Sequence, residues 1–148
     1  MSAAVRLEPV DARLHTGELF EAGQDAAIWD YLGYGPWASE AALGEFLRDC
    51  AASADPVFYA IRDRSTGLAS GVASLMSIVP KNGSIEVGHI WLGPALQNTT
   101  AATEALFRLI DYAMTELGYR RMEWKCNALN APSRRAAVRL GFYFEGIF

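Results

Sequence analysis

The sequence predicts a mixed α/β domain: a mostly antiparallel central sheet flanked by helices. Three observations predict it. Apolar residues alternate with polar ones in runs joined by Asp63–Gly67 and by Asn82-Gly83, the latter the strongest short hairpin signal. Other stretches carry apolar stripes at helical spacing, as at Leu43, Phe46, Leu47 and Cys50. From Ser84 onward the chain reads strand, loop, helix, strand, helix, which requires one parallel crossover through the long helix.

In order, Val5–Val10 alternates and then meets Pro9, which suits a short first strand at a sheet edge. Asp11–Gly23 reads as a helix with a partial stripe at Leu14, Leu19 and Phe20, and Asp25–Leu32 as a short helical segment. Gly33–Trp37 is too rich in Gly and Pro for regular structure. Ser39 is the N-cap of the next helix, which Asp55-Pro56 ends. Val57–Arg62 and Leu68–Ile78 form a hairpin, and the central strand starts at Ser84. It is ended by Gly93-Pro94; a helix follows from about Ala101 to Leu117, then a strand over Arg121–Cys126 and a helix closing at Leu140-Gly141-Phe142.

A chain of 148 residues, just over half of them apolar, is expected to be one folded domain over residues 1–148. A net charge of −4 with no basic block argues against nucleic acid as a partner; Arg134, Arg135 and Arg139 read as a solvated helix face. Cys50 and Cys126 lie far apart without metal-ligand spacing, so no metal is expected and both are read as reduced thiols. With no leader and no span-length apolar run, the expectation is a soluble cytoplasmic protein with no membrane partner.

Several residues stand out chemically. Gln97-Asn98-Thr99-Thr100-Ala101-Ala102 runs directly into a helix, whose free N–H groups and partial positive charge suit a pyrophosphate. An ordinary helix start capped by Thr99 or Thr100 is the plain alternative. Glu86 lies mid-strand among Ile85, Val87 and Ile90, where burial would raise its pKa towards a value useful for a base; a solvated or ion-paired strand Glu is the alternative. His89 comes three residues later, so pleating places it on the opposite face unless a bulge intervenes. His15 carries no signal. Trp29, Tyr31, Tyr34 and Trp37 cluster around the Gly-Pro segment, either as core or as the wall of a site.

At these residues the chain resembles a known family. The run Ser84–Phe144 is similar to motifs A and B of the Gcn5-related N-acetyltransferases (GNAT), and closest to the branch that acetylates the N-termini of ribosomal proteins. The family's loop pattern is Arg or Gln, two variable residues, Gly, a variable residue, then Gly or Ala. It is matched at Gln97 and Ala102 and departed from at Thr100, where the family has Gly. Asn130-Ala131-Pro132-Ser133 resembles the start of motif B, with Gly141-Phe142 at the family's distance from it.

The resemblance implies an acetyl-CoA-dependent N-acetyltransferase in which a primary amine, on a protein N-terminus or a small molecule, attacks the thioester directly. It implies acetyl-CoA contacts from Ile90, Trp91 and Leu92, from Gln97, Asn98, Thr99, Thr100, Ala101 and Ala102, and from Asn130 and Ser133. It implies Glu86 as base, Ser133 as hydrogen-bond donor to the leaving sulfur, and Trp29, Tyr31, Tyr34 and Trp37 along the acceptor site. Ala137 stands where many relatives carry a Tyr acid, which leaves Ser133 or water for that role. Relatives continue with a further strand, so the chain reads as C-terminally truncated, with a strand begun at Gly141–Ile147 and an open edge near Trp124 and Phe144 inviting a homodimer. The rival expectation is a non-catalytic domain of the same fold that binds CoA weakly or serves in assembly.

Overall fold

The computed structural model describes residues 3–148. Five strands lie in chain order across one sheet: β1 (Val5–Pro9), β2 (Val57–Asp63), β3 (Ala69–Val79), β4 (Ser84–Leu92) and β5 (Arg121–Glu123). The first four pair antiparallel, with β1 at the edge as its proline requires, and β5 joins β4 parallel. That parallel step is bridged by helix α3 (Thr100–Asp111).

Helices start where short polar side chains can hold their free N–H groups. Asp11 caps α1 (Ala12–Ala22), accepting from the Arg13 N–H at 2.8 Å, and Ser39 caps α2 (Glu40–Ala52) through the Ala42 N–H at 3.1 Å. Between β3 and β4, Gly83 takes the left-handed conformation (φ +65°) that closes the turn.

The sheet separates two cores. On one face Ile61, Ala73, Leu75, Ile85 and Val87 pack with Ala105, Leu106 and Leu109 of α3. On the other, Phe58, Val72 and Trp91 pack with Leu19 of α1, Leu43 and Leu47 of α2, and Trp29 from the 3-10 turn Ala26–Trp29.

Three expectations need correction. The long helix does not run as α-helix to Leu117; after Asp111 it widens into a π-turn over Tyr112–Glu116. The last strand is Arg121–Glu123 rather than Arg121–Cys126, because its pairing with β4 stops at Glu86↔Glu123. Residues 142–148 form no strand: no ladder partner lies beside them, and the Arg121–Glu145 ion pair at 2.7 Å is a side-chain tether only. Tyr143, Phe144, Ile147 and Phe148 are exposed. Among the described residues no helix is long and apolar enough to cross a membrane.

At the β1 edge, a charge network ties α1 to the sheet. Arg62 donates from Nε to Glu8 at 3.0 Å and from Nη1 to Glu18 at 2.9 Å, while the fully buried His15 ring meets Glu8 at 2.8 Å. The Asp11 N–H donates to His15 Nδ1, so Nε2 carries the hydrogen that faces Glu8. Chiefly through the Arg62 guanidinium, the Glu8 carboxyl is held down at about 2, against an ordinary 4.5. A carboxyl depressed in the fold contributes stability at pH values above its unfolded pKa and loses it as pH falls through the folded one. Glu8→Gln is therefore expected to be less stable than wild type above pH 4.5, and the difference should shrink to nothing between pH 4.5 and about 2 in urea titrations.

Candidate active site

The geometry of the site follows from two bulges that flank Glu86. Along β3 and β4 the partners run Ser74↔Gly88, Leu75↔Val87, Met76↔Glu86, but then Val79↔Ser84 on one side and Val72↔Trp91 on the other. Each break inserts one extra residue, at Ser77 in β3 (φ +49°) and at His89 in β4 (φ +47°). Non-glycine residues in this conformation cost on the order of 1–3 kcal/mol, a cost that concentrates at functional sites.

The bulge at His89 reverses the face on which side chains point. Ile85 and Val87 face the α3 core before it, and Ile90 and Leu92 face the same core after it, while Trp91 joins the core beneath α1 and α2. His89 packs against Phe58 and Tyr34, at ring distances of 5.1 and 5.7 Å. The expectation that Glu86 and His89 lie on opposite faces is thus corrected: the bulge brings both to the α1/α2 side.

Glu86 is 6% exposed. Its Oε2 accepts from the Ser77 hydroxyl at 3.0 Å and from the Lys125 ammonium at 2.8 Å. Lys125 also lies 3.5 Å from Glu123 and remains 39% exposed on its side chain. The carboxylate is therefore buried and ion-paired at once, with a cation from a residue 39 positions away. Lys125 is a site residue that sequence reasoning missed: Arg121–Cys126 reads as ordinary strand, and nothing local points to the pairing.

Burial pushes the His89 imidazole below its usual range, and the Glu86 charge pulls back only in part. Its Nδ1 lies 3.2 Å from the Tyr34 hydroxyl, which burial holds protonated by pushing its pKa up. Around this pair Tyr34, Trp37 and Phe46 pack at ring distances of 4.6 to 6.2 Å. The Trp37 indole N–H is buried without a hydrogen-bond partner among the described residues. Trp29 is core, 4% exposed, with its indole N–H donating to the Gly23 carbonyl at 2.9 Å. Tyr31 is half exposed and makes no ring contact with this cluster among the described residues.

Beyond Glu86 the two parallel strands part. Gly88–Leu92 of β4 has no β5 partner, and the chain after Glu123 turns towards α4 (Ala131–Arg139). Near the mouth of this opening, Thr99 caps α3: its Oγ1 accepts from the Ala102 N–H at 3.1 Å and donates to the Leu96 carbonyl at 2.6 Å. The N–H groups of Thr100 and Ala101 have no acceptor among the described residues, so α3 presents two free donors and its positive end. Gln97 folds its amide back to the Leu92 carbonyl at 2.9 Å, and Asn98 sits exposed at φ +58°. Helix α4 is capped by Asn130, whose Oδ1 accepts from the Ser133 N–H at 3.2 Å. Ser133 Oγ accepts from the Trp124 indole N–H at 3.0 Å, which leaves the hydroxyl proton free to donate elsewhere.

Two surface concavities lie elsewhere: one of about 530 Å³ beside Arg6, Leu14 and His15, another of about 370 Å³ between α1 and α2. The candidate site is instead the opening between β4 and β5, where a buried carboxylate, an unpaired strand edge and a helix start with free donors come together.

Known proteins share this fold. A GCN5-related N-acetyltransferase from Brucella melitensis has the same fold with a TM-score of 0.96 and 44% identity, over 100% of this chain and 68% of that one. The ribosomal-protein-serine acetyltransferase of Escherichia coli (strain K12) is 36% identical over 76 residues, which cover 51% of this chain and 42% of that protein. The chain thus matches less than half of that relative's length. Spermidine N-acetyltransferase from Vibrio cholerae, solved with CoA and spermine, matches with a TM-score of 0.78 over 98% of this chain and 84% of that one; at 20% identity the likeness is one of fold. Residues 4–143 match the model of the acetyltransferase (GNAT) domain, and with the sheet parting beside a buried carboxylate, the chain belongs to the GNAT acetyltransferase family.

Proposed function

We propose that the protein transfers an acetyl group from acetyl-CoA to a primary amine, on a protein N-terminus or a small molecule. The observation that carries this reading is the coincidence of three features at one end of the sheet. A buried carboxylate sits where the strands part, an unpaired strand edge continues from it, and a helix start with free donors closes the opening.

The residues fit the donor substrate. Backbone groups of Ile90–Leu92 offer an extended arm the hydrogen bonds that β5 no longer takes. Thr100 and Ala101 N–H groups suit a pyrophosphate; Thr100 stands where the family has glycine, but its N–H faces no competing acceptor. Acetyl-CoA supplies the activated acyl group.

Glu86 takes a proton from the acceptor ammonium, directly or through one water, and so frees the lone pair. Ser77 orients the carboxylate. Ser133, with its oxygen engaged by Trp124, donates its hydroxyl hydrogen towards the departing sulfur. Tyr34, Trp37 and Phe46 wall the acceptor side, and aromatic faces suit the cationic form in which amines arrive. Holding both substrates in one cleft is itself a large part of the acceleration.

Titration calorimetry with acetyl-CoA tests the donor site. One site of micromolar affinity is expected, which is about −8 kcal/mol. Absence of binding at millimolar donor would overturn the reading and favour a purely structural role for this fold. An acceptor panel of N-terminal peptides and small diamines then assigns the acceptor class.

A further inference from the structure

The sequence contains only two lysines, Lys81 and Lys125. Lys81 is exposed in the turn between β3 and β4. Lys125 instead places its amine at the point where the acceptor amine must arrive. Its Nζ lies 2.8 Å from Glu86 Oε2 and 3.5 Å from Glu123 Oε2, on the first stretch of chain to leave the sheet. The Glu86 oxygen it occupies is the one that Ser77 also holds, so a second ammonium reaching Oε2 displaces Lys125. The side chain is 39% exposed.

We propose that Lys125 is itself an acetyl acceptor, so that the protein acetylates its own Nζ when no other amine occupies the cleft. This rests on the reading of Glu86 as the base. Glu86 takes one proton from the Lys125 ammonium. The freed lone pair attacks the thioester carbonyl carbon, the N–C bond forms and the C–S bond breaks. CoA leaves as thiolate and receives the second nitrogen proton, while the proton on Glu86 passes to solvent. The product is a neutral amide at Lys125 and free CoA thiol, and no other reactant is needed. Acetylation removes the cation from Glu86, leaving Ser77 as its hydrogen-bond donor.

The ion pair that places Lys125 also holds its amine protonated, raising its pKa chiefly through Glu86. A small acylating ester that does not use the cleft should therefore label Lys81 ahead of Lys125. With acetyl-CoA the order should reverse.

The test is to incubate the whole chain with acetyl-CoA and no acceptor, then map acetyl groups by peptide mass spectrometry beside the small-ester control. Expected is one acetyl group at Lys125, formed at a rate independent of protein concentration and about 100-fold slower in Glu86→Gln. Should Glu86→Gln fail to fold, the concentration dependence and the reversed Lys81/Lys125 order still decide. Equal labelling of Lys81, the α-amine and Lys125 overturns the proposal, as does labelling unchanged in Glu86→Gln. No label at Lys125 while an added amine is acetylated overturns self-acetylation alone. No acetylation of any amine overturns the catalytic reading and this inference with it.

Discussion

Glu86→Gln should lower kcat/KM for amine acetylation by about 100-fold or more, the usual contribution of a positioned general base, while acetyl-CoA binding changes little. The substitution keeps the shape of the side chain, and its amide oxygen can still accept from the Ser77 hydroxyl and the Lys125 ammonium. What it removes is the ability to take a proton. The proposed donor contacts are spread over β4 beyond Gly88 and the start of α3, so calorimetry should find the site intact. The split between constants then assigns the role. Equal losses in kcat and kcat/KM mean an interaction made in the transition state, as a base requires. A loss confined to KM would mean that Glu86 binds the acceptor ammonium without moving its proton. Unchanged kinetics would take Glu86 out of the chemistry.

The variant should also fold. Removing one partner of a buried ion pair is costly when the other stays buried, but Lys125 is 39% exposed and can return to water. Lys125→Met separates the two effects, since it leaves the carboxylate and removes only its cation.

Strand positions were legible wherever alternation and turn chemistry agreed. The hairpin at Asn82-Gly83, the cap at Ser39, the edge position of β1 and the strand end at Gly93-Pro94 each have a local physical cause, and each is found. The family motifs made α3 and α4 legible as well. What stayed hidden is what depends on more than one segment. Ser77 and His89 adopt positive φ without being glycine, so no residue type announces the bulges, and counting by twos carries His89 to the wrong face. The early end of β5 is set by the course of β4, not by Trp124-Lys125-Cys126, which alternate as well as any strand. The Lys125–Glu86 pair follows from that parting and is equally invisible in either segment alone.

Composition leaves the aromatic cluster between core and site; Trp29 is core, with Tyr34 and Trp37 packed against it, and mutation can check what each does. Trp29→Ala should destabilise the fold by about 3–5 kcal/mol, the usual cost of emptying a buried Trp site, and lower Tm by roughly 10 °C. Its ring is the hub of the α1/α2 core: Trp91 lies 5.0 Å away, Tyr34 6.1 Å and Trp37 6.4 Å. Two glycines exist to admit it. A Cβ on Gly35 would come within 2.4 Å of the ring and one on Gly23 within 2.8 Å, and the Gly23 carbonyl also takes the indole N–H. Because Tyr34 and Trp37 lean on this ring, the acceptor KM should rise even at temperatures where the variant is fully folded. Tyr31→Ala is the control: half exposed and outside the ring contacts, it should shift stability by no more than about 0.5 kcal/mol. If thermal denaturation shows Trp29→Ala to be as mild as Tyr31→Ala, the ring is not the support of the acceptor wall. If stability falls but acceptor KM does not move, Tyr34 and Trp37 belong to the core with Trp29, and the amine must bind on Glu86 from the open β5 side.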